Sequence, residues 1–256
     1  MITYTNKQNL GNRLYNWNAW LGCYQKSEAC QNCFIYSLNE FIDVFHLFPR
    51  EFSELPSGTL IHVTLYSDFF LAEADKYRTA AWNYIKNHPN LIFLIITKRP
   101  ERIKDCLPED WGNGWDNVIF NITVENQKRV EERLPILLDL PCKHKWATCT
   151  PLLEEVDLSM YLKTGQIEHV ELSGEKGRKN HPARPFKIEW AKKLKQQCVE
   201  NNVRLSLVAV GHNCILEDGS VIYDDSTCYH SEIADSLNIS YYKPLIFNLP
   251  DGTFTY

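Results

Sequence analysis

The chain lacks any apolar run long enough to cross a membrane. A spanning helix needs about 20 apolar residues, and the longest run here, Leu91-Ile-Phe-Leu-Ile-Ile96, has the length of a strand. The opening segment, Met1-Ile-Thr-Tyr-Thr-Asn-Lys7, has no apolar core of the kind an export signal carries, so a cytoplasmic setting is expected. Positive charge is not in excess either. Lys and Arg number 27 against 32 Asp and Glu, for a net charge of −5. That balance argues against a generic polyanion binder but leaves room for a local basic patch. Repeats, low-complexity tracts and obvious linkers are absent, which excludes solenoids and disordered scaffolds. So are the phosphate loop G-x-x-x-x-G-K-[ST], the dinucleotide fingerprint G-x-G-x-x-G, the H-E-x-x-H helix and the nucleophile elbow G-x-S-x-G. The 256 residues, 44% apolar and 23% charged, suffice to bury a core without disulfide staples.

Cysteine is plentiful, with nine in the chain. The odd number and the missing export signal argue against a disulfide framework and for reduced thiols. Cys106, Cys142, Cys149, Cys198, Cys214 and Cys228 are scattered, whereas Cys23, Cys30 and Cys33 are clustered.

Hydropathy patterning predicts an alternation of strands and helices. Strands are expected near the N-terminus and over Leu60–Tyr66, Leu91–Ile96, Val118–Val124, Lys145–Thr150, Ile167–Ser173 and Val203–Val210. Helices are expected over Phe70–His88, capped by Asp68, and Pro100–Cys106. Three more are expected from Asn126 to Leu134, where Pro135 perturbs the pattern, over Leu158–Leu162, and over Phe186–Asn201 with Trp190, Ala191, Leu194 and Cys198 on one face. The alternation implies right-handed crossovers and a parallel sheet, either an incomplete barrel or a doubly wound sheet. Asp-Gly turns at Glu217-Asp-Gly-Ser220 and Pro250-Asp-Gly-Thr253 signal hairpins. The fold class read here is α/β: a partial (β/α) barrel over residues 1–210, with a small C-terminal β-hairpin appendage over 211–256 packed on the same domain.

In parallel α/β folds the working residues follow the strands. The loops after these strands are polar: Ser67-Asp68-Phe69-Phe70, Thr97-Lys98-Arg99-Pro100, Thr123-Val124-Glu125-Asn126, Ser173-Gly174-Glu175-Lys176-Gly177-Arg178 and Gly211-His212-Asn213. Asp68 and Asn126 would serve as helix caps. Caps do not require Lys98, Arg99, Glu125 and Glu175 at one edge, and a shared functional mouth explains them better. The loop Lys176–Arg184 holds four basic residues beside His181. With Lys98, Arg99 and Arg102 it would form a basic rim for a nucleotide or nucleic acid, or a solvated loop that balances an acidic chain.

The cysteine cluster lies in Trp17-Asn-Ala-Trp-Leu-Gly-Cys-Tyr-Gln-Lys-Ser-Glu-Ala-Cys-Gln-Asn-Cys-Phe34, with spacing C-x6-C-x2-C. A C-x2-C pair brings two sulfurs to one metal, and Cys23 supplies a third. A second C-x2-C is missing, so the usual four-cysteine zinc pattern is absent. Three thiolates leave one iron of a [4Fe-4S] cube open to a small molecule. The other readings are a zinc site completed by His46 or His62, a redox pair at Cys30 and Cys33, and plain core cysteines. Phe34, Ile35, Leu38, Phe41, Ile42 and Phe45 would hold the loop against the core. Cys149 paired with His144 or His169 is a conceivable nucleophile, but alternation within a strand reads Cys149 as core. His212 and Cys214 read as turn and core residues.

This arrangement resembles the radical S-adenosylmethionine superfamily, whose usual spacing is C-x3-C-x2-C. The longer first gap is similar to that of a phage- and bacteria-associated family of unknown function. The matching residues are Trp17, Asn18, Trp20, Gly22, Cys23, Ser27, Cys30 and Cys33. Further matches are Ser67–Phe70, Thr97–Pro100, Leu107-Pro108 with Trp111, Trp115–Val118, Thr123–Gln127, Arg133–Pro135, Pro151–Leu153, Gly174-Glu175 and Ala183–Pro185. The chain departs from that pattern at Ala19, Phe34, Thr150, Ser173 and Val208–Gly211, so a strand-end carboxylate and a strand-end lysine are missing. That implies a shifted substrate or reduced activity.

The resemblance implies a partial (β/α) barrel in which Cys23, Cys30 and Cys33 ligate a [4Fe-4S] cluster. S-adenosylmethionine would bind the open iron and be cleaved to a 5′-deoxyadenosyl radical acting on an unknown substrate. Asp68, Glu125 or Glu175 would meet its ammonium group, with Asn126 beside them. Lys98, Arg99 or Arg178 would meet its carboxylate. The alternative is a non-enzymatic module whose cysteines hold zinc or a cluster structurally and whose basic rim binds a protein or nucleic-acid partner.

Overall fold

Seven short stretches rich in branched and aromatic residues pair side by side. They are β1 (Leu14–Trp17), β2 (Leu60–Val63), β3 (Ile92–Thr97), β4 (Val118–Thr123), β5 (His144–Cys149), β6 (Ile167–Ser173) and β7 (Arg204–Ala209). The computed structural model describes residues 14–37, 52, 54–178, 180–225 and 231–256. Every pairing in this sheet is parallel, and the strands lie in chain order from β1 to β7. A doubly wound sheet reverses its strand order at a switch point. This sheet has no reversal, so its crossover helices fall on one face and it curls into a partial (β/α) barrel.

The helices are α1 (Asp75–Lys86), α2 (Gln127–Leu138), α3 (Ser159–Leu162) and α4 (Ile188–Glu200). Alternation along the strands sorts side chains between two cores. Ile61, Val63, Phe93, Ile95, Phe120 and Ile122 pack with Ala81 and Ile85 of α1, Leu134 and Leu137 of α2, and Ala191 and Leu194 of α4. Leu60, Ile92, Leu94, Ile119 and Trp146 face the other way. They meet Leu245, Phe247 and Leu249, so the hairpin Ile246–Leu249/Gly252–Thr255 forms an apolar floor at the N-terminal end of the concave face. The other Asp-Gly turn joins Cys214–Ile215 to Val221–Ile222. A short helix, α5 (Glu232–Ser236), follows, capped by Ser231, which accepts the Ala234 N–H at 2.9 Å.

Three local expectations are corrected. Helix α2 continues through Pro135, because Pro135 sits on the exposed side while Leu134 and Leu137 anchor the turn on the buried side. Phe186–Lys187 pairs with Cys214–Ile215 as a strand, so α4 starts only at Ile188. Asp68 does not cap α1, whose first residue is Asp75; its carboxylate is committed at the sheet edge. Among the described residues no helix is long and apolar enough to cross a membrane.

Candidate functional site

The cysteine loop leaves β1 at the C-terminal edge of the sheet and is tied to the loop after β2. Thr64 N–H donates to the Trp17 carbonyl at 2.7 Å, and Tyr66 N–H donates to Asn18 Oδ1 at 2.8 Å. The Ser67 hydroxyl donates to the Gly22 carbonyl, and Trp20 Nε1 donates to the Asp68 carbonyl at 3.2 Å. Gly22 has φ 93°, a left-handed conformation that glycine reaches without steric cost just before Cys23. Tight turns then carry the chain through Cys30 and Cys33, with Cys30 N–H on the Ser27 carbonyl at 2.9 Å and Cys33 N–H on the Cys30 carbonyl at 3.1 Å. Ile35 is buried behind them, and Phe34 is exposed with its ring edge-on to Tyr66. Leu38, Phe41, Ile42, Phe45, His46, Lys179 and Cys228 lie outside the described residues.

Each strand-end carboxylate singled out in the sequence is held by an arginine and grips or adjoins this loop. Asp68 takes Arg99 at 2.9 Å, together with the Thr97 hydroxyl and the Phe70 and Lys98 N–H groups. Arg99 in turn donates to the Tyr24 carbonyl at 2.7 Å and lies 4.0 Å from Cys23 Sγ. Glu125, fully buried, takes Arg133 at 2.9 Å and accepts the Ser27 hydroxyl. Glu175 takes Arg184 through two nitrogens and accepts Asn32 Nδ2 at 2.8 Å. The backbone that presents Glu175 is close-packed: a Cβ on Gly174 would lie 2.0 Å from the Val210 carbonyl oxygen, and Gly211 has φ 73° against Glu175.

The other named residues also have places. Asn126 caps α2 by accepting the Arg129 N–H at 2.9 Å. Arg178 donates to the Gln31 carbonyl at 2.8 Å. Lys98 is half-buried, and its charge opposes the burial that raises the Cys33 thiol. The basic rim is largely neutralised within the chain, since Arg184 pairs with Glu175, Lys176 with Asp225, Arg99 with Asp68 and Arg102 with Asp75.

Burial pushes the Cys23 thiol up to about 11; Asp68 adds to the rise, Arg99 opposes it, and Cys30 and Cys33 add to it. Burial also raises Cys33, against the Ile35 N–H and Lys98. The Tyr36 phenol is raised by burial and then by all three sulfurs. Among the described residues no three His, Cys, Asp or Glu side chains converge on one ready metal position. Thiols held neutral in this way become ligands only when a cation compensates them. Cys149 and Cys198 are buried in the helix-side core. His169 faces the opposite side of the sheet from Cys149, donating or accepting at Ser206 Oγ at 2.9 Å. His212 fastens Asp225 at 3.0 Å, and Cys214 is core.

A polar wall that the sequence reading passed over lines the concave face above the apolar floor. Alternation puts Asn121 and Thr123 of β4 on the face of Ile119, and puts His169 and Glu171 of β6 beside Trp146. Asn121 Nδ2 donates to Glu171 Oε2 at 2.7 Å across the intervening β5, a reach that requires the sheet to be curled. Asn121 Oδ1, Thr123 Oγ1 and His169 Nδ1 are buried without a hydrogen-bond partner among the described residues. Each such atom carries a desolvation cost of about 1–3 kcal/mol. His62 of β2 is also fully buried, its imidazole pushed down to about 3 by burial.

Burial raises the Glu171 carboxyl to about 7, against the opposing effects of Asn121 and Arg204. A raised carboxyl contributes stability below its unfolded value, and that contribution fades as pH rises through the folded value. Glu171→Gln should therefore stabilise the chain at pH 8 by about 1–3 kcal/mol. The gain should shrink towards zero near pH 4.5, the ordinary value for this group. Urea titrations of both proteins across that range read the difference directly.

No curated protein and no solved structure matches the chain. A family model described as a protein of unknown function, DUF5131, matches residues 7–218. With a tied-down three-cysteine loop at the mouth of a parallel half-barrel, the chain belongs to this family of unknown function.

Proposed function

We propose that the protein is an iron–sulfur enzyme of the radical S-adenosylmethionine type, acting in a reducing, cytoplasmic setting. One observation carries the reading: Cys23, Cys30 and Cys33 lie on one short loop that is tied to the strand ends at the C-terminal mouth of a partial (β/α) barrel. The donor set fits the group. Sulfur ligands suit iron–sulfur clusters, and three of them leave one iron open. Cys23, Cys30 and Cys33 would hold the [4Fe-4S] cluster. When bound, that cluster supplies the electron that cleaves S-adenosylmethionine.

The chain's own residues do the rest. The Asp68–Arg99, Glu125–Arg133 and Glu175–Arg184 pairs hold the loop in place, and the burial of the first two keeps water from its underside. Lys98, whose side chain enters no ion pair with a described residue, is the cation best placed to meet the carboxylate of the methionine moiety. Asp68, Glu125 and Glu175 already answer to arginines, so an incoming ammonium group would have to share them.

That last observation favours a second reading, in which the loop is a structural metal site, zinc or cluster, on a module that binds a partner. Anaerobic incubation of the reconstituted protein with dithionite and S-adenosylmethionine separates the two. Release of methionine and 5′-deoxyadenosine is the expected result. A chain that carries one zinc and leaves S-adenosylmethionine intact would establish the structural reading instead.

A further inference from the structure

We propose that Arg99 is a positioning residue for the metal ligand Cys23, and that Asp68 orients its guanidinium while cancelling its charge. The inference rests on the reading that Cys23, Cys30 and Cys33 hold a metal centre; it does not depend on S-adenosylmethionine.

Cys30 and Cys33 are set by turns of their own loop, the Cys33 N–H donating to the Cys30 carbonyl at 3.1 Å. Cys23 stands seven residues before Cys30, beyond the span of such a turn. Its backbone is pinned on both sides instead. The Gly22 N–H donates to the Tyr66 carbonyl at 3.3 Å, and the Tyr24 carbonyl accepts Arg99 Nη2 at 2.7 Å. Arg99 Nη1 faces the Cys23 sulfur at 4.0 Å and donates to Asp68 Oδ2 at 2.9 Å. One nitrogen thus lies between the carboxylate and the thiol.

The guanidinium has little freedom to leave. Asp68 accepts the Thr97 hydroxyl at 2.6 Å and the Phe70 and Lys98 N–H groups at 2.9 and 3.0 Å. The Arg99 and Asp68 side chains are 9% and 6% exposed, so solvent screens the pair poorly. A planar fork serves three acceptors at once, which the point charge of a lysine does not. Groups that hydrogen-bond a metal's ligands orient them, and hydrogen bonds to cluster sulfurs help to set the reduction potential. Although the resemblance implies Arg99 as a partner for the S-adenosylmethionine carboxylate, its fork is committed here, which leaves that part to Lys98.

The test compares Arg99→Gln, Arg99→Lys and Asp68→Asn in the full chain. It reads the affinity for cobalt(II) and, in the reconstituted protein, the midpoint potential of the cluster. Arg99→Gln and Asp68→Asn break the same ion pair, so a purely structural pair would move both variants in one direction. The proposal requires opposite directions. Arg99→Gln leaves Asp68 alone beside the sulfur, so cobalt(II) should bind about 10–100-fold more weakly and the potential should fall. Asp68→Asn still offers Arg99 an oxygen but removes the opposing charge, so cobalt(II) should bind at least as tightly as in the native chain and the potential should rise. Arg99→Lys keeps the charge, and with it the fold, but not the fork, so its affinity should stay about tenfold or more below the native value. Equal losses in Arg99→Gln and Asp68→Asn, or affinities indifferent to all three substitutions, would overturn the proposal. A native chain that takes up neither cobalt(II) nor a cluster would overturn it together with the metal reading. Variants that separate as expected while S-adenosylmethionine stays intact would support it and overturn the radical reading alone.

Discussion

Replacing Cys23, Cys30 and Cys33 together by alanine is expected to abolish iron and sulfide uptake while the chain stays folded. The three sulfurs contribute little that packing would miss. Cys23 and Cys33 are partly exposed, and Cys30, though buried, gives the fold one weak hydrogen bond, accepting the Lys26 N–H at 3.4 Å. The loop is held by other groups: Ser27 on Glu125, Asn32 on Glu175, and Arg99 on the Tyr24 carbonyl. Cluster binding, in contrast, has few other thiols to draw on among the described residues, since Cys149, Cys198 and Cys214 are buried in the core. Iron and sulfide per chain, with the visible charge-transfer absorbance, should fall to background. Single replacements should behave nearly as badly, because two thiolates do not hold a cube. Full absorbance in the triple variant would remove the assignment.

The largest loss of stability is expected from Arg133→Met. Arg133 and Glu125 form a pair whose side chains are 4% and 0% exposed, and Arg133 also donates to the Thr123 carbonyl at 2.6 Å. Removing the guanidinium strands a carboxylate in the interior, a cost of about 3–5 kcal/mol. Glu125→Gln together with Arg133→Met removes both charges and should recover most of that loss. Denaturant midpoints of the four proteins in this cycle measure the coupling. Glu125 also accepts the Ser27 hydroxyl, three residues before Cys30, so the single variant should bind iron more weakly as well. A loss below 1 kcal/mol in Arg133→Met, on the order of an exposed pair, would show that the clasp does not matter.

The strands β3 and β4 were legible because parallel strands covered on both faces read as short apolar runs, and the loops after β2, β3, β4 and β6 carry charge. The partners of those charges were not. Glu125 and Arg133 are eight residues apart and Glu175 and Arg184 nine, neither of them a helical neighbour spacing, so the sequence displays the carboxylates but not what neutralises them. Asp68 looked like a cap because a residue before a helix usually is one; its carboxylate instead collects the Thr97, Lys98 and Arg99 donors from the next strand end. The concave wall was hidden for a different reason. Asn121 interrupts an apolar run and Glu171 sits in a mixed strand, and neither reveals its purpose until the sheet curls and brings β4 and β6 within a side chain's reach. The C-terminal hairpin was visible from its Asp-Gly turn, but a turn does not indicate what its strands will cover, here the floor formed by Leu60, Ile92 and Ile119.

The most direct test of the central claim is electron paramagnetic resonance of the anaerobically reconstituted, reduced protein with and without S-adenosylmethionine. The account predicts a [4Fe-4S] signal whose shape changes when S-adenosylmethionine is added, since an iron without a protein ligand is free to take it. A protein that takes up zinc and no cluster, or a cluster signal indifferent to S-adenosylmethionine, would contradict it.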